Sequence, residues 1–125
     1  MKKIFVIEDN DLNYLLLEEI LSDYDVLLIR ACNGKDFYSQ ISQPVNFDLI
    51  LMDMMLHDTN GIILTKFLIQ NNFNIPIIFI SASIDRREEV YDLGIKCFIE
   101  KPIMVELFLN NLRQNLELEK VKHYN

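Results

Sequence analysis

The chain has few of the residues that interrupt or cross-link a fold. Among 125 residues there are three glycines, three prolines and two cysteines. No linker, low-complexity stretch or internal repeat divides it, and its length suits one domain with one sizeable core. Cys32 and Cys97 lie far apart and neither has a CxxC partner, so they read as two reduced, partly buried thiols rather than a disulfide. No apolar run approaches the roughly 20 residues that span a membrane. The start, MKKIFVIEDND, has two lysines and then four apolar residues, too short an apolar segment for a signal peptide. Positive charge is scarce as well. Twelve Lys and Arg face nineteen Asp and Glu, giving a net charge of -7 and a pI near 4.7. That balance argues against a nucleic-acid surface. Neither GxxxxGK nor GxGxxG is present, which argues against a nucleotide-binding loop. The expectation is a cytoplasmic chain with no membrane association and no direct nucleic-acid binding.

Half of the chain is apolar, and the apolar residues are organised. Five segments read as strands: KIFVI (3–7), DVLLIRA (25–31), DLILMD (48–53), PIIFIS (76–81) and KCFIE (96–100). The third is apolar on both faces, as a strand in the middle of a covered sheet would be. Helical spacing lies between them. Leu12, Leu15, Leu16 and Ile20 recur after the first strand. Ile63, Phe67 and Leu68 do so behind Asn60-Gly61. A short helix from Arg86 to Leu93 ends at Gly94, which suits a C-terminal cap. The last helix is expected to start near Pro102, with Val105, Leu109, Leu112 and Leu116 on one side. Strand and helix alternate five times. This predicts an α/β fold: a (βα)5 doubly wound, five-stranded parallel sheet in the flavodoxin-like order 2-1-3-4-5.

In such sheets ligands bind beyond the carboxyl ends of the strands. The first strand ends in Glu8-Asp9, the third in Asp53, the fourth in Ser81, and the fifth is followed by Lys101-Pro102. Three carboxylates gathered at one edge repel strongly at low dielectric, so a partner cation is expected. Mg2+ suits hard oxygen ligands. Lysine and serine suit phosphate oxygens. The set makes chemical sense if one carboxylate is a nucleophile that accepts a phosphoryl group.

IFVIEDN, DLILMD followed by Gly61, IIFISA and CFIEKP together resemble the receiver domain of two-component response regulators, over essentially the whole chain. The resemblance implies a receiver domain over residues 1–120 and a tail over 121–125. It implies that Asp53 is the phosphoacceptor, and that Glu8 and Asp9 hold Mg2+, directly or through water. Asp9 is the expected direct ligand. Met55 would lend its backbone carbonyl to the metal. Ser81 would contact the phosphoryl group, Lys101 would pair with its charge, and Phe98 stands at the aromatic switch position. The Lys101-Pro102 bond would be cis. The donor would be a histidine kinase or a histidine phosphotransfer protein, and the output a changed affinity for a downstream protein partner. Such a domain catalyses its own phosphorylation and dephosphorylation and acts on no separate substrate. The chain departs from the family pattern at Leu56-His57, where Met-Pro is common, and in a segment near SIDRR that looks shorter than usual.

Two further readings stay open. One is an interaction module of the same fold that acts without phosphorylation. The other, a phosphatase with an aspartyl nucleophile, would want a second acid two residues after Asp53, where Met55 stands. His57 reads as a solvated loop histidine, and His123 sits in a tail expected to fray and carries no role. Ile103, Met104, Leu107 and Phe108 add a second apolar row to the last helix, which either packs inward or forms part of a homodimer or partner surface.

Overall fold

The structure is a computed structural model and describes residues 1–121; His123 lies outside the described residues. Strands and helices alternate in the order β1 (Lys2–Ile7), α1 (Asp11–Ile20), β2 (Val26–Ala31), α2 (Gly34–Ile41), β3 (Leu49–Asp53), α3 (Gly61–Gln70), β4 (Ile77–Ser81), α4 (Arg87–Asp92), β5 (Cys97–Glu100) and α5 (Val105–Arg113). The sheet is parallel throughout, in the expected order β2-β1-β3-β4-β5.

Every residue of β3 is buried, because the strand feeds two cores. Leu49 and Leu51 join Ile4, Val6, Ile78 and Phe108 on one face, while Ile50 and Met52 join Phe5, Ile7, Phe37 and Phe79 on the other. Successive side chains point to opposite faces, so a strand covered on both sides is apolar along its covered length, Leu49 to Met52, and the acid Asp53 stands at its end. Each such side chain contributes about 1.5–3 kcal/mol of burial. Parallel strands also bring all their carboxyl ends to one edge. The pairings Ile7 with Met52, Asp53 with Ile80 and Ser81 with Glu100 set Glu8 level with Asp53 and Ser81 in the next row.

Three helices leave that edge through the same local device. Asn10, Asn33 and Asn60 cap α1, α2 and α3, each accepting a hydrogen bond from the backbone N–H three residues on. An asparagine in this position satisfies one of the four free N–H groups of a helix start. Gly94 ends the α4 unit with φ at +93°, a conformation that suits glycine.

The helices correct several expectations. In α1 the stripe of Leu12, Leu15 and Leu16 is exposed, and the inward residues are Leu17, Leu21 and, in part, Tyr14 and Ile20. Three consecutive leucines fit a stripe in more than one phase, so spacing alone misplaced the buried face. In α3, Ile63 faces out, and Ile62, Leu64 and Leu68 face in. The last helix begins at Val105, not near Pro102. The chain bends at 101–102 and is irregular at 103–104, and Met104 still has extended backbone (φ -92°, ψ 117°). A proline without an N–H suits a turn as well as a helix start. Val105 is exposed and Phe108 is buried, while Leu109 and Leu112 face inward as expected. Leu116 is also buried, but lies beyond the end of the helix. The chain then folds back along the start of β2, where Asp25 N–H bonds the Glu119 carbonyl at 2.7 Å and Val121 N–H bonds the Asp23 carbonyl at 2.8 Å. Cys32 and Cys97 are free and half-buried. Among the described residues, no helix is long and apolar enough to cross a membrane.

Candidate functional site

The carboxyl edge of the sheet gathers the predicted side chains. Asp53, the last residue of β3, is 7% exposed, and Glu8, just past β1, is 4% exposed. Between them lies the Lys101 ammonium, 3.2 Å from Asp53 Oδ2 and 3.3 Å from both carboxylate oxygens of Glu8. The Lys101 backbone N–H bonds the Ser81 carbonyl at 2.9 Å, and the bond to Pro102 is cis, as expected.

One ammonium does not balance the negative charge collected here. Burial first, and then the neighbouring Glu8, push the Asp53 carboxyl up to about 7, while Lys101 pulls it down. Asp9 adds a third, exposed carboxylate, and the three acids offer oxygens within 4.8 Å of one another. A hard-oxygen donor set with excess negative charge fits a divalent cation such as Mg2+. The loop after β3 follows directly on Asp53. It is closed by Gly61 N–H bonding the Met54 carbonyl at 2.8 Å and Leu56 N–H bonding the Thr59 carbonyl at 3.2 Å. Neither bond uses the carbonyl of Met55.

Ser81 is buried at the end of β4, and its hydroxyl accepts the Ser83 N–H at 3.2 Å. Phe98 is half-buried on β5. Its ring stacks on core Phe79 at 6.2 Å and meets exposed Tyr91 edge-on at 6.5 Å. It therefore lies between the interior and the surface. His57 is exposed, as expected.

Three residues matter here to which sequence reading gave no role at the site, although Gly61 was among the residues that carried the resemblance. A Cβ on Gly61 would collide with the Asp53 backbone oxygen and lie 2.9 Å from both Met52 and Phe79. Glycine thus lets α3 pack directly beneath the acid. Asp58 reaches across to the start of α2, accepting the Gly34 N–H at 2.7 Å and the Lys35 N–H at 3.2 Å. These bonds hold its carboxyl below the usual range. They also anchor a loop that lacks the expected proline. Arg30 of β2 bonds the Glu8 backbone carbonyl at 3.0 Å. An arginine breaking the apolar run VLLIRA was the one visible sign of it.

Comparison with known proteins agrees with this geometry. The family model of the response regulator receiver domain matches residues 4–113. The polar-differentiation response regulator DivK of Brucella anthropi is 29% identical over 119 residues, which cover 92% of this chain and 96% of that protein. The non-phosphorylated receiver domain of HemR from Leptospira biflexa superposes with a TM-score of 0.81 at 26% identity, covering 99% of this chain and all of that one. TrrA from Thermotoga maritima, solved in complex with Mg2+-BeF, shares the fold at a TM-score of 0.83 and 20% identity, over 93% of this chain and 100% of that one. Family match, strand order and the acids at the strand ends agree: the chain belongs to the response regulator receiver domains of two-component signalling.

Proposed function

We propose that Asp53 accepts a phosphoryl group from a phosphohistidine on a histidine kinase or histidine phosphotransfer protein, with Mg2+ held by Glu8, Asp9, Asp53 and the Met55 carbonyl. The observation that carries this reading is the Lys101 ammonium set between Asp53 and Glu8 on an edge that also holds Asp9 and Ser81. In the transfer, a carboxylate oxygen of Asp53 bonds to phosphorus. The P–N bond of the donor breaks, and the imidazole keeps the electron pair. Lys101 meets the developing charge on the phosphoryl oxygens, and the Ser81 hydroxyl donates to one of them. Bound Mg2+ would neutralise phosphoryl charge and favour the ionised form of Asp53. Slow attack of water on phosphorus would later release phosphate and restore the carboxylate. The domain acts on no separate substrate.

Output is a shift between two conformations. Turning Ser81 toward the phosphoryl group breaks its contact with the Ser83 N–H and frees room for Phe98 to move inward from beside Tyr91. The affected surface includes Met104 and Leu107, which are exposed and flank β5. It is the face offered to a downstream protein partner or to a second copy of the domain. The setting is cytoplasmic.

Incubation with acetyl phosphate, with and without Mg2+, followed by intact mass measurement, tests this reading. One Mg2+-dependent phosphate addition is expected, absent in Asp53→Asn. No addition, together with no binding of beryllofluoride, would instead favour an interaction module that works without phosphorylation.

A further inference from the structure

Glu8 and Asp9 leave β1 on a connection of three residues, 8–10, before α1 begins at Asp11. One side chain on the neighbouring strand grips both ends of that connection. Arg30 donates through Nε to the Glu8 carbonyl at 3.0 Å and through Nη1 to Asp11 Oδ1 at 2.8 Å. Its guanidinium lies over the Tyr14 ring, 4.9 Å from the centroid. The Glu8 N–H is held as well, by the Ala31 carbonyl at 3.0 Å. So β2 fixes Glu8 at both its donor and its acceptor.

The carbonyl that Arg30 holds belongs to the Glu8–Asp9 peptide. That peptide is planar, so fixing its oxygen fixes the direction in which Asp9 departs. On the far side of Asp9 the connection is held at Asn10, by its cap bond and its carbonyl, but the Asp9 side chain itself is exposed and no hydrogen bond or ion pair holds its carboxylate among the described residues. The planar fork of arginine can serve two acceptors while stacking on a ring, which an ammonium cannot do. Arg30 itself sits outside the acid cluster, acting through the backbone rather than by touching a carboxylate of the metal set.

We propose that Arg30 is a positioning residue for the cation site: it orients the Glu8–Asp9 peptide and thereby places the Asp9 carboxylate where it meets Mg2+. This rests on the metal reading given above.

Charge and position predict opposite signs. Removing a positive charge near three carboxylates would by itself tighten divalent binding. Losing the held peptide would weaken it. Mg2+ binding to the whole chain, measured by calorimetry without any phosphodonor, separates the two. Arg30→Gln, which removes the charge, and Arg30→Lys, which keeps it but loses the fork, are both expected to raise the Mg2+ Kd about tenfold. Thermal melting alongside shows whether each variant is folded, and Arg30→Lys carries the same comparison should Arg30→Gln not fold. Folded variants with a Kd equal to or tighter than that of the unaltered protein would overturn the positioning role and leave the metal site standing. No Mg2+ binding by the unaltered protein would overturn the metal reading, and the role of Arg30 with it.

Discussion

Helices α1, α2 and α3 start differently from α4 and α5. The first three each begin at an asparagine whose side chain caps the helix, whereas α4 begins at Arg86 and α5 at Met104 with no side-chain cap. The capped units carry Glu8, Asp9 and Asp53. The uncapped units carry Ser81, Phe98 and Lys101. α4 is also the shortest helix, six residues with Val90 alone buried. The acids are therefore presented by elements fixed locally, one cap at a time. The serine, the aromatic ring and the lysine are presented by elements held more by their tertiary contacts. The two halves meet where Lys101 pairs with Glu8 and Asp53.

Replacing the acid that the two halves share should give the largest effect. Asp53→Asn is expected to abolish phosphate addition and, in metal-free buffer at pH 8, to stabilise the fold. An ordinary aspartate titrates near 3.8, while in the fold Asp53 is pushed up to about 7. Between those values the folded state holds the extra proton, so stability falls as pH rises across the window. Urea denaturation with EDTA at pH 5 and pH 8 should show that fall, on the order of a few kcal/mol, and Asp53→Asn should flatten it. An unchanged slope would remove Asp53 as its source.

Lys101→Met comes next. It leaves two buried carboxylates without their ammonium and should cost about 3 kcal/mol at pH 8. The loss should shrink at pH 5, where Asp53 is protonated. A loss independent of pH would mean that Lys101 serves packing rather than charge.

Smaller effects test the caps. Asn33→Ala should cost about 1 kcal/mol in urea denaturation. Met104→Asp supplies a cap where the backbone is already extended, and should stabilise by about 0.5–1 kcal/mol. Hydrogen exchange should be faster in 87–92 than in 61–70. Equal protection of the two helices would dissolve the contrast between the halves.

Much of this was legible in the sequence. A strand buried on both faces has to be apolar throughout, so LILM announced the centre of the sheet, and the five strands were located to within a residue. The acids, the serine and the lysine were legible because parallel strands send all their carboxyl ends to one edge, whatever the details of packing. Helix faces were less so. In YLLLEEI any of several stripes is apolar, and the choice of Leu17 over Leu16 came from where α1 lies against β1 and β3. Pro102 was read as a helix start for the same reason: its local preference is met equally by a turn.

The sequence by itself determined the alternation of elements, the central strand and the set of chemical groups at its end, since these follow from period, burial and chain direction. Tertiary structure alone decided how those groups are held. That the Asp53 carboxyl is pushed up depends on burial first and then on Glu8. That Glu8 has a fixed backbone depends on Arg30, and that the loop after Asp53 is tied down depends on Asp58 reaching α2. Each of these joins residues distant along the chain, and no local pattern encodes a contact that exists only once the sheet has formed.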